Sequence, residues 1–434
     1  MKFKLPNCIT TRFPSKAQSL AIVSNRSHRQ SFWQTAAIGM LVGALSTACG
    51  NPETSTTPSN PETTQTDFKV GMILVGPQND AGWNQAHYDA TKYVMSKLPN
   101  VKFVYEDKVN PADRPNVKGS QIADELIGKG AKLIIFNSDD YKEDALATAQ
   151  KHPDVAVIHA SGDYAWQEGK NYKNQKNLSN VMSQIEYGKM ISGCSAALNS
   201  ETGKIGYVGP LINDETRRLA TSAYLGAKYC WEKYRNKRPE DLTFKVTWIG
   251  FWFNIPGTTL DPNKVANDLF NSGFDVVLSG IDTQEVALQA KKAASTGKKV
   301  KFLHYDLKSG CTLAPEVCIG VPYYNWGPSY LSQIKDSVDG KFTGEFVWAL
   351  PDWKNLNNPD TSAVGFAKGD ALGVKNDQLL DRFIAGLGDR SIQPFKGPLQ
   401  FQDDTVFLKE GEVASQQKIW YLPQLLKGME GKSK

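Results

Sequence analysis

Lys69-Val-Gly-Met-Ile-Leu-Val75 runs directly into Gly76-Pro-Gln-Asn-Asp-Ala-Gly-Trp-Asn-Gln85. The first seven residues are an apolar run of strand length, and the next ten form a loop bearing a carboxylate, a glycine, an indole and an amide. A helical pattern over Trp83–Leu98 follows. In an open α/β sheet, ligands bind outside the carboxyl ends of the strands, which is where Asp80, Gly82, Trp83 and Asn84 fall. These residues are the first candidates for a binding wall.

The same strand-to-helix rhythm continues along the chain. Strand-like runs recur at Val101–Tyr105, Lys132–Phe136, Val155–His159, Lys204–Val208, Phe244–Gly250, Asp275–Ser279, Val300–His304 and Val317–Pro322. Helical patterns lie between most of them, at Val117–Gly128, Lys142–Lys151, Ile185–Leu198, Glu215–Tyr234, Pro262–Asn271 and Thr283–Ser295. Alternation of this kind means parallel sheet with crossover helices. Several runs are apolar without alternation, as expected where both sheet faces are covered. Four strands precede an irregular, Asn-rich stretch at Gln167–Asn180 and five follow it, so the expected fold is α/β with two doubly wound parallel-sheet lobes. A helix-like block near Leu331–Val338 fits no obvious place, and no pattern predicts the fold of Phe395–Lys427.

The 434 residues carry a formal net charge of +5, but Lys2, Lys4, Arg12, Lys16, Arg26 and Arg29 all lie in the first 49 residues, which hold no acid. Without that leader the charge is −1. A near-neutral body with no basic stripe gives no electrostatic footprint for nucleic acid, which is excluded as a partner class. Thr35–Ala48 is uncharged, mostly apolar and ends in small residues before Cys49, the reading of a secretory signal. At 14 residues it falls short of the ~20 that span a bilayer. Asn51–Thr66 has no apolar residue and is dense in Pro, Ser, Thr and Asn, so residues 50–67 read as a solvated tether.

Four cysteines remain beyond the leader, and an exported compartment permits disulfides. Cys311 and Cys318 flank Thr-Leu-Ala-Pro-Glu-Val and could close a small loop. Cys194 and Cys230 lie in two helical stretches, as buried thiols or as a pair. No Cys-x-x-Cys, His-Glu-x-x-His, phosphate-binding Gly-rich loop or Gly-x-Ser-x-Gly is present, so neither a metal, a cofactor nor a catalytic motif is expected.

Other predicted strand ends carry polar or aromatic groups. Asn137-Ser138 follows Phe136, Trp252 and Phe253 follow the Phe244–Gly250 run, and His159 and His304 each end a strand. Asp306, Asn325 and Trp326 come soon after. Each group alone is compatible with helix capping or core packing, and the histidines with satisfied strand-end rings. Together they describe a mostly aromatic crevice with a few polar groups, as small-molecule sites tend to be. Adjacent residues of a strand point to opposite faces, so only one of Trp252 and Phe253 can face a ligand.

These residues resemble a known family. Asp80-Ala-Gly-Trp-Asn-Gln85 is similar to the Asp-x-Gly-Phe/Trp-Asn motif of the basic membrane protein family of ABC-importer substrate-binding lipoproteins, which includes purine nucleoside receptors. Further matches are Leu133-Ile-Ile-Phe136, His152-Pro-Asp154, Glu186-Tyr-Gly188, Gly203-Lys-Ile-Gly-Tyr-Val-Gly209, Trp248-Ile-Gly-Phe-Trp-Phe253 and Asn325-Trp-Gly-Pro-Ser-Tyr330. Pro394-Phe-Lys-Gly-Pro398 resembles the closing element of the family. The resemblance implies a type I periplasmic-binding fold whose lobes, joined by a hinge, close on a ligand. Trp83 takes the place of the first stacking aromatic, Trp252 or Phe253 the second, and Asp306 that of a ribose-side carboxylate. His159 stands where the family keeps an Asp, and Asp306-Leu307 replaces Asp-Gln, which leaves nucleoside, nucleobase and other planar rings open.

The expected organisation is a signal peptide over 1–49 with lipidation at Cys49, which resembles a lipobox cysteine, then the tether. One lobe is expected over 68–182 with about 325–350, the other over 183–324 with about 351–434. The expected function is capture of a purine-like molecule by an exported, lipid-anchored monomer that faces the periplasm or the cell exterior and delivers it to an ABC permease and its ATPase. Expected ligand-binding residues are Asp80, Trp83, Asn84, Asn137, Ser138, His159, Trp252, Phe253, Asp306, Asn325 and Trp326. The alternatives are an exported nucleoside hydrolase using Asp80 and His159 as acid and base, and a structural surface lipoprotein.

Overall fold

A computed structural model describes residues 67–434. The leader, Cys49 and nearly all of the tether lie outside the described residues. The chain opens with β1 (Phe68–Ile73), α1 (Trp83–Lys97), β2 (Val101–Glu106), α2 (Gly119–Gly128), β3 (Leu133–Phe136), α3 (Lys142–Lys151), β4 (Ala156–Ala160) and β5 (Leu178–Ser183). It continues through α4 (Ile185–Asn199), β6 (Lys204–Gly209), α5 (Asp214–Lys233), β7 (Thr243–Trp248), α6 (Pro262–Asn271) and β8 (Val276–Ser279). Next come α7 (Glu285–Ser295), β9 (Lys301–Leu303), β10 (Cys318–Tyr324), α8 (Gly327–Val338), β11 (Phe346–Ala349), β12 (Val364–Lys368) and α9 (Val374–Gly388). The tail adds β13 (Leu399–Gln400), β14 (Val406–Leu408), α10 (Gln416–Trp420) and β15 (Met429–Glu430).

Two sheets result. The first, in order β11-β5-β4-β3-β1-β2, is parallel throughout. The second runs β12-β10-β9-β8-β6-β7-β15 and is parallel except where β12 pairs antiparallel with β10. Val277 and Leu278 are neighbours on β8 yet belong to separate apolar clusters, because strand side chains alternate and helices cover both faces. The chain passes between the sheets three times, after β5, after β10 and after β11. Two of these passages are tied together: Asn325 donates its backbone N–H to Ala363 O at 3.0 Å and its side-chain amide to Pro359 O and Ser362 O at 2.9 and 2.7 Å.

Some elements differ from their sequence patterns. β7 ends at Trp248, so Trp252 and Phe253 sit in a loop and are not governed by strand alternation. The last three residues of the Asn-rich stretch open β5, a fully buried strand despite Ser179 and Asn180. Its polarity is satisfied internally: Asn180 accepts from Ala165 N at 2.7 Å and donates to Ser161 O at 2.9 Å. The tail, which had no readable period, folds by long-range burial. Phe395, Phe401, Leu422 and Leu425 join the core of the second sheet, while Trp420 and Tyr421 join that of the first.

Helices α4 and α5 meet almost backbone to backbone. A Cβ on Gly193 would lie 1.7 Å from Ala223 O, and one on Gly226 would lie 1.9 Å from Met190 O. Neither backbone carbonyl can move aside as a flexible side chain would, so the crossing requires both glycines. The Cys194–Cys230 disulfide joins the same two helices, with its Cα atoms 5.1 Å apart, and Cys311–Cys318 closes the short loop before β10. Gly226→Ala is therefore expected to lower stability by about 1–3 kcal/mol despite a gain in helix propensity. Urea unfolding checks this, and an unchanged midpoint would refute the close crossing.

Candidate functional site

The loops at the carboxyl ends of the two sheets face each other across a narrow, nearly filled chamber with about 20 Å³ of free space. Trp83, Ser138, Asp139 and Ser161 line it from the first lobe, and Tyr207, Glu215, Leu219, Trp252, Asp282 and Tyr305 from the second. A more polar vestibule of about 310 Å³ shares Asp139, Ser161 and Glu215 with the chamber and extends to Lys142, Asn213 and Tyr421.

The two walls touch directly. His304 Nε2 donates to Ala81 O at 3.1 Å, Ser161 Oγ donates to Glu215 Oε2 at 2.8 Å, and Asn213 Nδ2 donates to Asp139 Oδ2 at 3.3 Å. Gly82 lies so close to the second wall that a Cβ there would stand 1.8 Å from Asp282 O. This is a closed arrangement.

The opening motif divides its labour. Asp80 accepts from the N–H groups of Gly82, Asn84 and Gln85 at 2.9, 2.9 and 3.0 Å and from Asn84 Nδ2 at 2.8 Å. Both carboxylate oxygens are thereby used to fix the start of α1, where orphan N–H groups favour an acid. Burial nevertheless raises its carboxyl above the ordinary value. Asn84 Oδ1 accepts from Gly76 N and Asn137 Nδ2, and Asn137 Oδ1 accepts from Val75 N. Asp80, Asn84 and Asn137 thus hold loops in place, and none of the three lines the chamber.

Trp83 does line it. Its Nε1 donates to Asn137 O at 2.6 Å, and its ring stands edge-on to Tyr324 and Trp326 at 5.2 and 5.3 Å. Trp326 is buried behind it, stacked between His87 and Tyr324 at 4.3 and 4.8 Å. It therefore buttresses the ring that meets the cavity. Ser138 and Trp252 line the chamber too, whereas Phe253 packs against Phe251 and the first core. Asn325 is the hinge tie described above.

His159 lies in the core. Its Nε2 is 2.7 Å from Ser138 O, which can only accept, so Nε2 carries the proton and Nδ1 accepts from Asn180 Nδ2 at 3.2 Å. Asp306 sits just outside the lining at φ +71°, fully buried, with neither oxygen meeting a hydrogen-bond partner. Burial holds its carboxyl well above the ordinary range, against the opposing pull of nearby Lys189 and, more weakly, of Tyr305.

Sequence reasoning missed Tyr207, Glu215, Leu219, Tyr305 and buried Lys189. Lys189 Nζ donates to Ser279 O at 3.1 Å and lies 3.1 Å from the centroid of the Tyr305 ring. Burial pulls its ammonium down to about 7 and pushes Glu215 up to about 7. Glu215 looked like an ordinary first-turn acid of α5, and its proximity to Ser161 depends on lobe packing that no local pattern encodes. Asp282, three residues past the predicted strand Asp275–Ser279, is buried and faces the chamber.

Residues 68–350 match the family of PnrA-like ABC transporter substrate-binding proteins. A purine-binding protein of Brucella abortus (strain 2308) is 28% identical over 370 residues, covering 84% of this chain and 93% of that one. A Haloferax volcanii protein provisionally named as an ABC transporter glucose-binding protein is 24% identical over 369 residues, covering 82% and 83%. Among solved structures, an ABC transporter solute-binding protein of Aeropyrum pernix K1 superposes with a TM-score of 0.60 at 14% identity, covering 77% of this chain and 93% of that one, a likeness of fold.

Burial keeps the His159 ring below its ordinary value of 6.5. The unfolded chain takes up this proton first, so the ring withdraws stability as pH falls below about 6.5. Nitrogen-15 NMR of the imidazoles should find His159 neutral and protonated on Nε2 at pH 6. An imidazolium at that pH would contradict the geometry.

Proposed function

Because this chain belongs to the family of PnrA-like ABC transporter substrate-binding proteins, we propose that it captures a purine-like ring, as nucleoside or nucleobase, between its two lobes and passes it to a membrane permease. Proteins of this kind bind small ligands and work with ABC permease and ATPase partners, and those of the Bmp family act in the periplasm or outside the cell. No helix among the described residues is long and apolar enough to cross a membrane. We place the chain on the cell membrane, facing the periplasm or the cell exterior, as a monomer tethered through lipidated Cys49. Metabolic labelling with palmitate tests the anchor, and an unlabelled protein would remove it from the account.

One observation carries the ligand reading: Trp83 and Trp252 enter the same chamber from opposite lobes. Two indole faces against a planar ring add about 0.5–1.5 kcal/mol each beyond burial, and the gain is lost when the lobes part. Closure and ring binding therefore favour each other. The Brucella relative's purine-binding name supports the choice of ring. Catalysis is not part of this reading. Asp80 has both oxygens engaged and His159 is committed to Ser138 and Asn180, so the acid and base that a hydrolase would need here are already occupied.

Purine bases and nucleosides, tested against glucose by thermal shift, should separate cleanly. A ring at about 100 times its Kd should stabilise the protein by about 2.7 kcal/mol and be recovered unchanged. Stabilisation by glucose alone would overturn the ring assignment. Trp83→Ala should weaken binding by roughly tenfold or more while the fold persists, and undiminished affinity would remove the stacking role.

A further inference from the structure

We propose that the chamber is built for a planar heteroaromatic ring that bears an amino group or a positive charge, and that it turns away anionic rings. The inference rests on the chamber being the ligand site. Its walls are four aromatic rings, Trp83, Trp252, Tyr207 and Tyr305, and three carboxylates, Asp139, Glu215 and Asp282. No lysine, arginine or histidine is among the described residues that line it.

Aromatic faces attract cations through the ring quadrupole, and the attraction strengthens when water is excluded. A carboxylate can only accept hydrogen bonds when ionised, so it favours N–H groups over carbonyl oxygens. Asp282 and its like-charged neighbour Asp306 together point to a missing partner. Asp282 is only 4% exposed and faces the chamber, and fully buried Asp306 beside it meets no hydrogen-bond partner with either oxygen. Leaving such a group unpaired costs several kcal/mol or forces it to take a proton. An exocyclic amino group or a ring cation supplies what the protein does not.

The charges behind the walls do not cancel those in front. Arg218 on α5 is held by Glu186 of α4 at 2.6 Å and stands 3.9 Å from Glu215, so it is shared between two acids. Lys189 of α4 lies beneath the Tyr305 ring and faces Asp306 and Asp282. Asp80 at the start of α1 is met by its own N–H groups, while Asp140 beside Asp139 adds another acid, pushed up to about 6 by burial and by that neighbour. His304, whose ring burial holds below its ordinary value, adds no charge at neutral pH. As pH rises through 7, Glu215 ionises and Lys189 discharges, and both changes make the chamber more negative. Affinity for a cation should therefore rise from pH 6 to pH 8, with protons released on binding.

Isothermal titration of the intact protein with adenine, its N-methylated cation, hypoxanthine, xanthine and urate tests this directly. Expected are an affinity for the amino-bearing and cationic rings about tenfold or more above that for hypoxanthine and xanthine, no binding of urate, and proton release that varies with buffer ionisation enthalpy. Asp282→Asn should erase most of that preference. An equal loss for every ring would mark Asp282 as a structural residue and overturn its role. Hypoxanthine, xanthine or urate binding as tightly as adenine would overturn the inference and leave the purine reading intact. Failure of every ring to bind would defeat the purine reading itself, and this inference with it.

Discussion

Everything at the site depends on one close approach, that of Gly82 to the backbone carbonyl of Asp282. The first lobe presents this glycine at the tip of a loop where Ala81 adopts φ +58°, a conformation that leaves the Ala81 carbonyl to accept from His304 Nε2. Any side chain at position 82 would wedge the lobes apart. With hydrogen, they close until Trp83, the very next residue, shares a chamber with Trp252 and Tyr305. Asp80 makes this possible from behind by holding three backbone N–H groups of the same loop. These bonds lie within the first lobe and brace the loop without help from a ligand, which reduces the ordering cost of capture.

Charge is distributed unevenly around that contact. Loop-holding acids are satisfied by N–H donors or by Arg218, whereas Asp306, just outside the lining, is left short of partners beside Asp282. Burial is the leading cause of every raised carboxyl in the chamber wall. Such groups weaken the empty closed state, since each bears a desolvation penalty without compensation. A ligand that supplies donors relieves it, so the closed state with ligand gains relative to the closed state without, which is what a protein that must open and release requires.

The sheets were legible in the sequence because apolar runs and helical periods repeat with little interference, and the parallel, two-lobed α/β fold follows from them. β5 was not, since buried Ser179 and Asn180 break the apolar signal and are satisfied only by loops that fold over them. The tail was unreadable for the opposite reason: Phe395, Phe401 and Trp420 are apolar without a period and find partners on two different sheets. At the site, the aromatic members Trp83 and Trp252 could be read from their strand-end positions. The roles of Asp80, Asn84, Asn137 and His159 could not, because the residue types that bind polar ligands also brace loops. Glu215 and Lys189 look ordinary on their helices, and only the packing of one lobe on the other gives them a cavity to face.

The most direct measurement is a crystal structure of the protein grown with adenine. The account predicts the ring between Trp83 and Trp252, with its amino group toward Asp282 and both lobes in contact with it. A ring bound elsewhere, or a chamber that closes around solvent while adenine occupies another cavity, would contradict it.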